Sequence, residues 1–105
     1  SFYERSLPVL LSSLDAGWQA EQLRQPLDRL TRIDKRNGTL RHTLDAWFTH
    51  NEHPLATANA LGIHRNTLDY RLRQISEITG LDLERTDDRL LLYIAMQLDG
   101  YYTFR

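Results

Sequence analysis

Ala58-Asn59-Ala60-Leu61-Gly62-Ile63-His64-Arg65-Asn66-Thr67-Leu68-Asp69-Tyr70-Arg71-Leu72 decides the fold of this 105-residue chain. Ala58 is small enough to let a following helix cross closely. Four residues on, Gly62 can take the positive φ that ends a helix without a Cβ clash. Ile63 then points into the angle between the two helices. Beyond it Leu68, Leu72, Ile75 and Thr79 recur at spacings of four, three and four, with Ile78 beside them, which is one apolar stripe of helical period. The opposite side carries Arg65, Asn66, Asp69, Tyr70, Arg73, Gln74 and Glu77, with Thr67 and Arg71 towards its edge. Two helices joined by a tight turn, the second with an arginine-bearing face, read as a helix-turn-helix; the alternative on spacing alone is an ordinary helix hairpin with a solvated polar face.

Outward from that stretch the chain reads as helical throughout. Pro54 suits the first turn of the helix that ends at Gly62, and Gly80 terminates the one after it. Upstream, Leu7, Leu10, Leu11 and Leu14 form a first short stripe that stops near Gly17. Leu23, Leu27, Leu30 and Ile33 form a second, from about Trp18 to Asp34. Pro26 lies inside it, so either the helix kinks there or a new one starts with Pro in its first turn. Asn37-Gly38 signals a turn, after which Thr39 is expected to cap a helix with the stripe Leu40, Leu44, Trp47 and Phe48. Thr86 is expected to cap the last helix, with Asp87 and Asp88 at its positive end and Leu90, Leu91, Ile94 and Leu98 buried. The expectation is one all-α domain. Residues 1–51 form an N-terminal helical platform, 54–79 the helix-turn-helix, and 86–102 a C-terminal bracing helix.

Composition narrows the function. A hydrophobic content of 41% suits a globular domain with one core. Cysteine is absent, so neither disulfides nor thiolate metal sites contribute, in keeping with a reducing cytoplasm. No apolar run approaches the ~20 residues needed to cross a bilayer, and no signal-peptide pattern opens the chain. The first residue is Ser rather than Met, which is expected of a fragment. The net charge is −1, unlike a strong non-specific DNA binder, but charge is segregated. Between Ile63 and Gln74, Arg65, Arg71 and Arg73 face only Asp69, a local +2. From Asp82 to Asp88, four carboxylates oppose Arg85, a local −3. Phosphate contacts set most non-specific affinity, so modest binding by one domain and specific occupancy by two, on paired half-sites, are expected.

Ile63-His64-Arg65-Asn66-Thr67-Leu68, Tyr70-Arg71-Leu72, Ile75, Thr79-Gly80-Leu81-Asp82-Leu83 and Asp88-Arg89-Leu90 resemble the C-terminal helix-turn-helix domain of the PucR family of bacterial regulators. Leu7-Pro8-Val9-Leu10-Leu11 and Ala46-Trp47-Phe48-Thr49-His50-Asn51 resemble more narrowly its carbohydrate (sugar) diacid regulator members. The segment from Ile63 to Leu72 is also similar to the helix-turn-helix of the Fis nucleoid protein. The resemblance implies a transcription factor whose sensory region lies outside this chain. It also implies activation of genes for uptake and breakdown of glucarate, galactarate and glycerate. Arg65 and Thr67 match positions that face DNA in Fis-like helices, and His64 and Tyr70 occupy further such positions with changed chemistry. Two features depart from the pattern. Asp69 stands where Fis-like helices carry a basic residue, and the end Tyr101-Tyr102-Thr103-Phe104-Arg105 is unusually aromatic.

The partner so implied is double-stranded promoter DNA, bound by a homodimer of the full-length protein, with RNA polymerase as a further contact and no cofactor. Arg65, Asn66, Thr67 and Arg71 are the expected principal contacts. Arginine offers a fork to guanine, Asn pairs with adenine, and a Thr methyl meets the thymine methyl. Arg73 and Thr57 are expected on the DNA backbone. His64 is either a simple cap of the reading helix or a cap that also touches a phosphate. Tyr70 either faces DNA or packs back on the preceding helix.

Other chemistries lack support. His50 and His53, three apart around Glu52, could share a helix face, but Pro54 follows and no third metal ligand is evident, so a polar helix junction is the expectation. No nucleophile elbow accompanies Ser12-Ser13 and His42, and no phosphate-cradling glycine pattern occurs, so an enzyme is not expected. The alternative is a helical protein-interaction or dimerisation module, which the near-neutral net charge favours.

Overall fold

Helical periodicity becomes five helices among the described residues. The computed structural model describes residues 18–34 and 38–103, with side chains from 21 to 34 and from 38 to 99. The helices are α1 (Trp18–Asp34), α2 (Thr39–Thr49), α3 (Pro54–Leu61), α4 (Arg65–Thr79) and α5 (Thr86–Thr103). The stripe expected at Leu7–Leu14 and the last two residues of the aromatic end lie outside the described residues. No strand occurs among those described, and the fold is all-α.

The core is built where stripes from four helices converge. Leu27 and Leu30 of α1, Leu40, Leu44 and Trp47 of α2, Ile75 of α4, and Leu92, Ala95 and Met96 of α5 pack together with Leu83 from the loop before α5. The packed pairs are α1 with α5, α4 and α2, α2 with α4, and α3 with both α2 and α4. The bracing helix α5 therefore sits chiefly on α1, and the outer face of α4 stays open. An Arg41–Asp99 ion pair ties α2 to α5. Phe48 packs between Trp47 and Tyr93, each ring pair having centroids 5.3 Å apart.

Four sequence expectations change. Helix α1 runs uninterrupted through Pro26, so no new helix starts there. Ile33 is half exposed, because it lies about a quarter-turn off the Leu27–Leu30 line. In α5 the buried seam is Leu92, Ala95, Met96 and Leu98, whereas Leu90 and Leu91 are exposed. The run Leu90-Leu91-Leu92 supports more than one stripe, and packing on α1 selects the one that brings Asp99 to Arg41. The expected threonine caps also differ. The carbonyl of Arg85 accepts the Arg89 N–H, one residue ahead of Thr86, whose hydroxyl accepts from Arg89 Nη2 at 3.3 Å.

Thr39 does not cap α2 with its side chain. Gly38 occupies the cap position in the left-handed region and makes no side-chain bond. Asp34, the last residue of α1, serves instead. Its Oδ1 and Oδ2 accept the N–H groups of Leu40 and Arg41 at 2.8 and 2.9 Å. One carboxylate thus satisfies two otherwise orphaned donors and meets the positive end of α2. Asp34→Ala is expected to cost about 1 kcal/mol, as the loss of a good cap does. In a domain this small that is a fall of about 4–8 °C in melting temperature, measurable by calorimetry.

Candidate nucleic-acid interface

The angle of the helix-turn-helix is set by local chemistry. Gly62 has φ 67°, and the Ile63 N–H reaches back to the Ala58 carbonyl at 3.0 Å, a bond that closes helices with a left-handed cap. Space around Gly62 is open, so the requirement for glycine is conformational rather than steric. Ala58 is buried at the crossing, as its size suggests, and Leu68 and Ile75 are fully buried beneath α4.

Both helices of the motif start on a histidine. His53 Nδ1 accepts the Ala56 N–H at 3.2 Å, and Pro54 takes the first turn of α3. His53 is thus a helix cap, consistent with a polar junction. Among the described residues no three or more His, Cys, Asp or Glu gather as a metal cluster. His64 Nδ1 accepts the Asn66 N–H at 3.0 Å at the start of α4. For Nδ1 to accept in a neutral ring, the proton must sit on Nε2. The exposed His64 therefore caps α4 and keeps an N–H donor available at its positive end.

The expected contact residues fall into three groups. Arg65, Asn66, Tyr70 and Arg73 are exposed, with Tyr70 at 56%, and Thr67 is half-buried. Tyr70 therefore projects outward rather than packing back. Among the described residues the side chains of these five make no hydrogen bond or ion pair. Arg71 is half-buried at the edge and donates from Nη1 to Thr43 Oγ1 at 3.4 Å. Thr43 is itself buried in α2 and bonded to the Thr39 carbonyl. Arg71 thus links α4 to α2 with one of its five donors. In the sequence, Thr43 carries no signal of this role beyond its place on the inner side of α2.

Thr57 does not belong to the interface. Its side chain is 0% exposed and its hydroxyl donates to the His53 carbonyl at 2.7 Å. It lies on the inner face of α3 beside Ala58, so the expected phosphate contact is corrected to a structural role.

The charge segregation along the chain becomes segregation in space. A groove of about 540 Å³ runs beside the middle and C-terminal part of α4, lined by Asp69, Arg73 and Glu77 together with Asp82 and Glu84 from the loop before α5. Asp82 and Asp88 brace this loop: the Asp82 N–H donates to Asp88 Oδ2, and the Glu84 N–H donates to Asp82 Oδ1. Phosphates are repelled from the part of that groove where Glu77, Asp82 and Glu84 gather, so the first two turns of α4, with Asp69 at the groove's other end, are the part suited to a DNA groove. Arg73 borders both regions.

A helix-turn-helix domain with an open, basic second helix is the class this fold and surface define. Residues 40–98 match the PucR C-terminal helix-turn-helix domain, and the chain belongs to that family. It is 62% identical over 98 residues to the carbohydrate diacid regulator of Escherichia coli (strain K12), covering 93% of this chain and 25% of that protein. It is 38% identical over 91 residues to the transcriptional activator PmfR of Paenarthrobacter nicotinovorans, covering 87% and 19%. It is 39% identical over 56 residues to the proline-responsive transcriptional activator PutR of Bacillus subtilis (strain 168), covering 53% and 14%. The chain spans about a quarter or less of the length of these relatives. No solved structure matches it.

Proposed function

We propose that this chain is the DNA-reading end of a cytoplasmic bacterial transcriptional activator and binds promoter duplexes sequence-specifically through the N-terminal half of α4. The observation that carries this is the exposed set Arg65, Asn66 and Tyr70, whose side chains have no partner among the described residues, anchored by Leu68 and Ile75 on the reverse face. Arg65, Asn66, Thr67 and Arg71 read bases, while His64, Tyr70 and Arg73 orient the helix on phosphates. The full-length protein binds as a homodimer whose reading helices lie about 34 Å apart, one turn of DNA. The high identity to a carbohydrate diacid regulator supports control of genes for sugar diacid uptake and catabolism.

A salt titration tests the central point. Affinity for duplex DNA is expected to fall steeply and log-linearly with salt, as counterion release requires. A flat response would remove the assignment. It would favour a second reading, a protein-interaction module, for which the exposed Leu90 and Leu91 on α5 are the supporting observation. Both surfaces can serve one activator, with α4 on DNA and α5 on a second subunit or on RNA polymerase. Among the described residues no helix is long and apolar enough to cross a membrane.

A further inference from the structure

We propose that Asp69 is a specificity-determining residue whose carboxylate reads the amino group of a cytosine, roughly two base steps from the guanine read by Arg65. The proposal rests on entry of the N-terminal half of α4 into the major groove. Asp69 lies four residues after Arg65, about 6 Å further along the helix. That is roughly two base steps at 3.4 Å per step. The side chain is short and half-buried at the rim of the groove it shares with Trp47 and Leu72, which limits how far it can turn aside. Arg65 and Arg73 stand four residues to either side, yet among the described residues Asp69 makes no hydrogen bond or ion pair. The fold does not use this carboxylate.

The chemistry of the major groove narrows what it can meet. An ionised carboxylate only accepts hydrogen bonds. The O6 and N7 atoms of guanine and the O4 atom of thymine repel it, as do phosphates. The amino groups of cytosine and adenine remain, and adenine places the acceptor N7 beside its amino group while cytosine does not. Cytosine is the best match. A wrong base leaves the carboxylate desolvated and unpaired, so rejection contributes as much as attraction. Asp69 thereby exchanges non-specific phosphate affinity for discrimination.

The test is selection from a randomised duplex library with the native chain, Asp69→Ala and Asp69→Asn, followed by competition with single-base-pair variants at one fixed salt. Circular dichroism checks that each is folded. The native chain is expected to prefer C·G at one position by about five- to tenfold, within the range of a good base contact. Asp69→Ala is expected to lose that preference alone and to bind unrelated DNA more tightly. Asp69→Asn is expected to shift the same position towards adenine, the base that Asn pairs with. An unchanged base profile in both variants, with affinity raised by one factor on every sequence, would overturn the proposal and leave Asp69 a source of repulsion only. No enrichment by the native chain would instead overturn DNA reading itself, and this proposal with it.

Discussion

Leu68→Ala is expected to lower stability by about 3 kcal/mol and to abolish DNA binding by loss of structure rather than of contacts. Truncating a fully buried leucine costs about 2–5 kcal/mol, through lost transfer energy and the cavity left behind. Leu68 is 0% exposed, and it sits in the first turn of the helix whose outer face carries Arg65, Asn66 and Thr67. The motif has little apolar surface to compensate. Helix α3 is only eight residues long and buries Thr57 and Ala58, so α4 depends on Leu68 to hold its N-terminal half. For a domain stable by about 5–15 kcal/mol, such a loss is a large fraction of the whole. Leu72→Ala is expected to cost less, because Leu72 is only partly buried against the main core. Urea denaturation monitored by circular dichroism measures both. A cost for Leu68→Ala below about 1 kcal/mol would show that the base of the motif collapses around the missing side chain.

How legible each feature is in the sequence follows from the range of the interactions that set it. The turn at Gly62, the cap at His64 and the stripe through Leu68 and Ile75 depend on residues within a few positions of one another, so periodicity and the needs of the backbone expose them in the sequence. The chain's membership of the PucR family agrees with that local pattern. Features set by distant partners were not legible. Asp34 caps α2 across a turn, through N–H groups six and seven residues on. The partner of Arg71 is 28 positions away and that of Arg41 is 58 positions away. The seam of α5 differs from its periodicity because three consecutive leucines satisfy several stripes until α1 selects one. Thr57 was misassigned for a related reason. Its composition suits a phosphate contact, but its hydroxyl is turned back on the His53 carbonyl inside α3, and burial of that face is decided by α2 and α4. The acidic rim beside α4 needed the structure as well, since sequence shows that Asp82 and Glu84 are close in number but not that they line a groove with Glu77.

Arg65→Ala is expected to weaken specific DNA binding by about 1–3 kcal/mol, roughly 5- to 150-fold, and to relax the preference for guanine at one position. Stability is expected to stay within about 0.5 kcal/mol of the native chain, since Arg65 is exposed and, among the described residues, its side chain has no hydrogen bond or ion pair. Arg71→Ala behaves differently because its guanidinium also holds Thr43 in α2. Its loss is expected to reduce both affinity and stability, the second by about 1 kcal/mol, as for removal of one side-chain hydrogen bond. Arg73 faces the acidic groove on one side and solvent on the other. Its replacement by Ala is expected to weaken binding evenly across sequences and to reduce the salt slope by about one, the mark of a phosphate contact. The three variants thus separate base reading, mixed support and backbone positioning on one helix face. Gel shifts at fixed salt, with thermal unfolding of each variant alongside, supply the comparison. Native affinity and native selectivity in folded Arg65→Ala and Arg71→Ala together would exclude the first two turns of α4 as the reading surface. The exposed leucines of α5 would then be the principal surface left to explain the domain.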